Sequence, residues 1–104
     1  FRKSDMTNAN FSEANLKEAD FGHSNVENVS FSRAKMGGAS FHKTKCKKAS
    51  MSFASLVGCI FSEANLSAVS FFRADLSKAD LTSAITKDAS FKNAKMDGVK
   101  GHKV

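Results

Sequence analysis

The side chains able to do chemistry are few. The chain holds two cysteines, Cys46 and Cys59, and three histidines, of which His42 lies nearest to Cys46. Cys46 and His42 together offer a nucleophile and a base, or two ligands for a metal. No zinc spacing, glycine-rich phosphate loop or pair of carboxylates stands beside them. Asn10, Asn28 and Asn65 begin N-x-S sequons, close to what chance gives in so serine-rich a chain. The remaining candidates are surfaces. His42, Lys43, Lys45, Lys47 and Lys48 form a basic run that can attract an anion. Residues 51–60, MSFASLVGCI, carry no charge and include Phe53, Val57 and Ile60.

What positions these residues is an internal repeat, and repeats decide the fold. Every fifth residue from Phe1 belongs to one register, which holds eight Phe, five Leu, four Met and one each of Val, Cys, Thr and Gly. The residue two before each of these is small: thirteen Ala, four Val, two Ser, one Thr and one Cys. The two registers never slip, and neither contains a charge. The other three positions of each unit hold every charged residue and every His. Only Phe53, Val57, Ile60, Ala68, Phe72 and Ile85 break the rule by placing a hydrophobic residue outside the two registers. A helix needs apolar spacing near 3.6 and a simple strand needs 2. A period of five fits neither.

Composition agrees with one residue type filling one kind of site. The 104 residues contain ten Phe but no Pro, Trp or Tyr. That length suits one domain, residues 1–104. The formal net charge of +6 permits acidic partners without requiring them. No apolar run approaches a membrane span, and no signal peptide is visible. The chain starts at Phe1 and reads as a fragment of a longer protein. Cys46 and Cys59 fall in the inward registers, where reduced thiols act as small apolar groups. That fits a reducing compartment such as the cytoplasm, although no residue names one.

The pattern resembles the pentapeptide-repeat consensus A(D/N)LXX. Ala14-Asn15-Leu16, Ala19-Asp20-Phe21, Ala64-Asn65-Leu66, Ala74-Asp75-Leu76 and Ala79-Asp80-Leu81 match it closely, and SEAN precedes a large residue at both 12–16 and 62–66. The resemblance runs through the whole chain. It implies an all-β fold, a right-handed quadrilateral β-helix in which four pentapeptides make a coil of 20 residues. About five coils at about 4.8 Å each give a rod about 25 Å long. Stacking is then obligatory, since one pentapeptide cannot bury its apolar side chain alone. Gly38, Gly58 and Gly98 fall where turns need positive φ. Asn or Asp before the large residue can accept hydrogen bonds from nearby backbone. Phe1, Phe21, Phe41, Phe61 and Leu81 should stack on one side. Phe11, Phe31, Met51, Phe71 and Phe91 should stack opposite.

Residues 20 apart then lie above one another, which folds the sequence into a surface map. Cys46 points in and His42 points out, so the nucleophile, base and metal readings fail, and no cofactor is implied. His42, Lys43, Lys45, Lys47 and Lys48 form an anion-binding candidate, set against the plainer reading of a solvated basic face. Phe53, Phe72, Arg33 and Arg73, with Val57 and Ile60, form a partner-binding candidate. Here the plainer reading is self-contained stacking on the rod. Arg33, Phe53 and Arg73 share one column, so guanidinium groups should lie on either side of the Phe53 ring. Two Phe outside the inward registers should be exposed, and exposed apolar clusters mark interfaces.

These surfaces suggest a non-enzymatic interaction or scaffold module whose partner is another protein or another domain of the same protein. The family's best-understood members resemble B-DNA in size and charge and bind DNA gyrase, a topoisomerase. Such mimicry needs an acidic surface, and this chain is basic. Direct binding of nucleic acid through the basic run is a third reading, without a recognition helix or an aromatic–basic array to support it. Unpaired edges at the two ends invite end-to-end association, and the register fades through Gly98, Gly101 and His102.

Overall fold

The structure is a computed structural model and describes residues 1–101. His102 and Val104, the last positions of the pattern, lie outside the described residues. Residue i pairs with residue i+20 in parallel, from Asp5 with Asn25 to Asp80 with Lys100. A tight turn follows every large residue, so each twenty-residue repeat turns four corners. The first corner comprises turns 1–4, 21–24, 41–44, 61–64 and 81–84. The second begins at residue 6, the third at 11 and the fourth at 16, each recurring every twenty residues. The chain is therefore a β-solenoid, with principal extents of 31 × 25 × 23 Å.

Each unit repeats one scheme of backbone hydrogen bonds, and the unit beginning at Met6 shows it. Met6 N–H donates to the Asn25 carbonyl, and Asn8 N–H to the Glu27 carbonyl, both one coil on. Asn25 N–H returns a bond to the Ser4 carbonyl. Ala9 N–H closes the turn on the Met6 carbonyl at 2.9 Å. Only the N–H of the residue just after the large one is left over. Thr7 N–H finds the Asp5 side chain at 3.1 Å. Asn10, Asn15, Asp20, Asn25, Asn65, Asp75 and Asp80 accept the equivalent N–H in their own units. The preference for Asn and Asp before the large residue is thus an accounting requirement of the backbone.

The second central residue of every turn is left-handed. Gly38, Gly58 and Gly98 have φ of 74, 70 and 71°. Non-glycine residues occupy the other turns at φ of 55 to 69°, and none of them is β-branched. A second heavy atom group on Cβ makes this region costlier still. Only one residue per side pairs across coils, so the described residues contain isolated bridges and no longer strand. With two of five residues committed to a corner, a side has no length in which to extend a strand.

The core is the lumen. Phe21, Phe31, Phe41, Phe61 and Phe71 are fully buried, with Met51 between Phe31 and Phe71 on their side and Met36, Leu56, Leu66 and Leu76 on the remaining sides. The two expected Phe stacks are present. Phe1, Phe21, Phe41 and Phe61 lie nearly parallel with centroids 5.1, 4.9 and 5.0 Å apart. Phe11 and Phe31 stack opposite at 5.7 Å, and Phe71 and Phe91 at 5.0 Å. The stacks also meet across the lumen edge to face, as in Phe31–Phe41 at 5.7 Å and 84°. Both geometries suit the ring quadrupole.

The inward registers also hold polar groups. Thr44 is buried, and its hydroxyl donates to the Phe21 carbonyl at 2.8 Å. Ser24 donates in the same way to the Phe1 carbonyl. Cys59 does so to the Met36 carbonyl at 2.9 Å. Each partner lies 23 residues earlier, at a turn of the coil below. A hydroxyl or thiol there costs little, because the turn carbonyl has a second lone pair to offer.

Two outcomes follow. Phe41→Ala should cost about 3–5 kcal/mol in a denaturant titration, since a stacked, fully buried ring leaves a cavity. A cost under 1 kcal/mol would contradict a rigid lumen. The second concerns acid. Hydroxyl and backbone donors from Ser77 and Thr82 hold the Asp75 and Asp80 carboxyls below the ordinary 3.8. A depressed folded value contributes stability above about pH 3.8 that is lost as pH falls. The melting temperature should therefore drop on acidification below that value. Asp75→Asn/Asp80→Asn keeps both acceptors and should flatten the drop; an unchanged slope would place the acid sensitivity elsewhere.

Candidate functional site

With the interior filled, chemistry must come from the corners. The third corner carries the aromatic departure from the repeat. Phe53 occupies the left-handed position of its turn at φ 60°, which points its ring outward, and it is 42% exposed. Phe72 occupies the preceding turn position one coil on. Phe53 N–H donates to the Phe72 carbonyl at 2.9 Å, which sets the two residues side by side. Their rings meet edge to face at 5.5 Å and 88°.

The Arg33 guanidinium lies over the Phe53 ring, 4.7 Å from its centroid. Arg73 departs from the expected sandwich. Its guanidinium sits 5.4 Å from the centroid of Phe72, its chain neighbour, and not on the far side of Phe53. Phe72 is half-buried, so the expectation of two exposed rings holds only for Phe53. The resulting series is Arg33, Phe53, Phe72, Arg73. Beside it runs an open groove of about 560 Å³ lined by Phe53, Ser55, Arg73, Asp75, Asn93 and Lys95.

Val57 and Ile60 are exposed but stand apart from this series. Val57 belongs to the fourth corner and Ile60 to the bridge position beyond it. The uncharged run 51–60 is therefore continuous in sequence and wrapped around the rod in space.

The basic candidates divide in a similar way. His42 and Lys43 lie on the first corner, Lys47 and Lys48 on the second, and Lys45 at the bridge position between them. His42 Nδ1 is 2.7 Å from the Ser62 hydroxyl one coil on. Its ring meets that of His23 edge to face at 5.8 Å. Lys45 lines a shallower groove of about 220 Å³ together with Lys3, Asp5, His23 and Asn25.

One feature escaped the sequence reading. Serine hydroxyls form a zigzag along the rod beside the third corner. Ser12 meets Ser30 at 2.7 Å, Ser32 meets Ser50 at 3.1 Å, and Ser52 meets Ser70 at 3.1 Å. Links of 3.4 and 3.5 Å join these pairs through Ser30–Ser32 and Ser50–Ser52. The partners are 18 residues apart, a separation that brings a turn position beside a bridge position of the next coil. The series ends where Phe72 replaces serine.

The thiols offer no reactivity. Cys46 and Cys59 are fully buried and free, and burial raises the pKa of both, that of Cys59 to about 12. Cys46 lies in the lumen while the His42 ring contacts Ser62 and His23 at the corner, so they form no catalytic pair. Among the described residues no three His, Cys, Asp or Glu side chains are gathered to hold a metal ion.

A model of pentapeptide repeats matches the chain in eight copies, over residues 1–33, 14–45, 49–85 and 64–100. The chain belongs to the pentapeptide-repeat family. It is similar to a pentapeptide repeat protein from the Arabidopsis thaliana thylakoid lumen, at 33% identity and a TM-score of 0.76 over 94% of this chain and 65% of the other. HetL, a pentapeptide repeat protein involved in heterocyst differentiation regulation in the cyanobacterium Nostoc sp. strain PCC 7120, aligns at 28% identity and a TM-score of 0.81, over 92% and 54%. Rfr23 from the cyanobacterium Cyanothece 51142 aligns at 22% identity and a TM-score of 0.83, over 86% and 61%. This pentapeptide-repeat chain thus spans between about half and two thirds of the lengths of those solved relatives. No curated protein sequence matches it significantly.

Because only the thiolate attacks a disulfide reagent, neither cysteine should react in the native state at pH 8, and both should react in denaturant. Rapid labelling of the native protein would show that the lumen opens.

Proposed function

We propose that this chain is a non-enzymatic interaction module, a right-handed quadrilateral β-helix of about five coils that presents a rigid surface to a protein partner or to another domain of a longer protein. The observation that carries this reading is the Arg33–Phe53–Phe72–Arg73 series on the third corner. Aromatic and arginine side chains dominate interface energetics. Here they sit on backbone fixed by coil-to-coil hydrogen bonds, so little conformational entropy is lost on docking. The ring of Phe53 is held out by a left-handed backbone that costs roughly 1–2 kcal/mol for a non-glycine residue. Its contacts with Arg33 and Phe72 offset part of that cost.

The adjoining groove narrows the partner's chemistry. Arg73 and Lys95 supply positive charge, while Asp75 and Asn93 offer acceptors. A segment with an apolar side chain over Phe53 and a carboxylate toward Arg73 and Lys95 fits this lining. A net charge of +6 is the opposite of what imitation of DNA toward a gyrase would need, so that reading has no support on this surface.

Affinity capture with Phe53→Ser/Phe72→Ser and Lys47→Glu/Lys48→Glu variants tests the reading. The first pair should lose partners that the wild type and the second pair retain. Loss of about 2 kcal/mol at a hot spot weakens binding roughly thirtyfold. Phe53→Asn serves as a control for folding, because Asn tolerates a left-handed backbone. It should bind as poorly as the serine variant while changing stability by less than about 1 kcal/mol. Identical partner profiles for all variants would remove the third corner from consideration.

A further inference from the structure

We infer that the first corner is a proton-coupled site for a small phosphate-type oxyanion, centred on His23 between Lys3 and Lys43. This site is separate from the aromatic corner and does not depend on the function proposed for it.

The column comes first. Lys3, His23 and Lys43 share the left-handed turn position in three successive coils, with φ of 56, 59 and 55°. That backbone turns all three side chains outward, and the coil spacing of about 4.8 Å stacks them. Lys45 forms the other lip of a groove whose volume, about 220 Å³, would hold roughly seven waters. Arg2 and His42 flank the column from the neighbouring turn position. Gly22 helps place Arg2: a Cβ on Gly22 would lie 3.0 Å from the Arg2 guanidinium and 3.0 Å from the Asp20 carboxylate. Five cationic or ionisable groups thus surround His23: Arg2, Lys3, His42, Lys43 and Lys45.

The opposing charges nearby are Asp5, Asp20 and Glu63, the last at the same left-handed turn position one coil beyond Lys43. Asp20 pairs with Arg2 at 3.4 Å. Asp5 lines the groove, but its Oδ1 accepts from both the N–H and the hydroxyl of Thr7. Without a ligand, His23 resists protonation. Partial desolvation lowers its pKa first, followed by the charges of Arg2, Lys43, His42 and Lys3. A dianion in the groove reverses the second effect, because its charge favours the imidazolium. Anion binding and proton uptake are therefore linked, and affinity must rise as pH falls through the histidine range. At higher pH a neutral His23 leaves only the lysines and Arg2 to hold the ligand.

Sulfate is the first probe, because its charge stays fixed between pH 5 and 8; inorganic phosphate is the second. The ring signals of His23 are followed by NMR during pH titrations in sulfate and in sodium chloride at matched ionic strength. Sulfate should raise the His23 midpoint by about one pH unit beyond chloride, making binding up to about tenfold tighter at low pH than at high pH. Phosphate should do the same. Lys3→Gln/Lys43→Gln should weaken binding several-fold, and His23→Gln should retain weak binding with no pH dependence. Equal midpoints in sulfate and chloride would show screening alone and overturn the proposal, as would sulfate binding that phosphate does not reproduce. Vesicles of phosphatidylcholine with phosphatidic acid separate the two sources of such a group. Co-sedimentation without a response to the free anions would assign the corner to a membrane surface and overturn the small-ligand reading.

Discussion

Every five residues this backbone must dispose of five N–H groups while turning a corner, and the rest of the molecule answers to that constraint. Three N–H groups bond to neighbouring coils, one closes the turn, and one relies on a side chain. The last explains the Asn and Asp residues before the large residue. Where Lys or Ile stands there, as at Lys35, Lys45, Ile60 and Ile85, the side chain has no acceptor to offer that N–H. The same constraint fixes the left-handed residue at the corner. With it, the outward direction of Phe53, His23 and Lys43 is set by backbone geometry more than by their own packing.

The lumen satisfies a different demand. Phe rings on opposite sides stack along the axis and meet edge to face across it, and Phe21 and Phe41 have rings above, below and opposite. This uses aromatic geometry in both of its favourable arrangements. A core of this kind leaves no internal cleft, and its thiols are shielded from attack. The candidate surfaces therefore lie on the outside, at the corners and the bridge positions beside them, where the solenoid holds side chains at fixed intervals.

The two candidate surfaces use that regularity differently. At the third corner, one Phe from each of two coils interrupts a line of serines and arginines, giving an isolated aromatic feature beside a groove. At the first corner, repetition itself creates the feature, since cations in one column are forced within a coil spacing of each other. Like charges so placed make a site whose protonation depends on what occupies it.

The sequence determined the two inward registers by its strict period of five, and its resemblance to pentapeptide repeats implied the solenoid and the two Phe stacks. It also assigned Gly38, Gly58 and Gly98 to left-handed corners and the cysteines to the core. Tertiary structure decided what lies beside what. Arg73 lies over Phe72, its chain neighbour, and not over Phe53, which a column map cannot show. Val57 and Ile60 leave the Phe53 corner because five residues carry the chain to the next corner. The serine zigzag and the grouping of Lys3, His23 and Lys45 join residues about 20 or more apart. Their chemistry follows from side-chain directions at the corners, and those directions exist only once the coils are stacked.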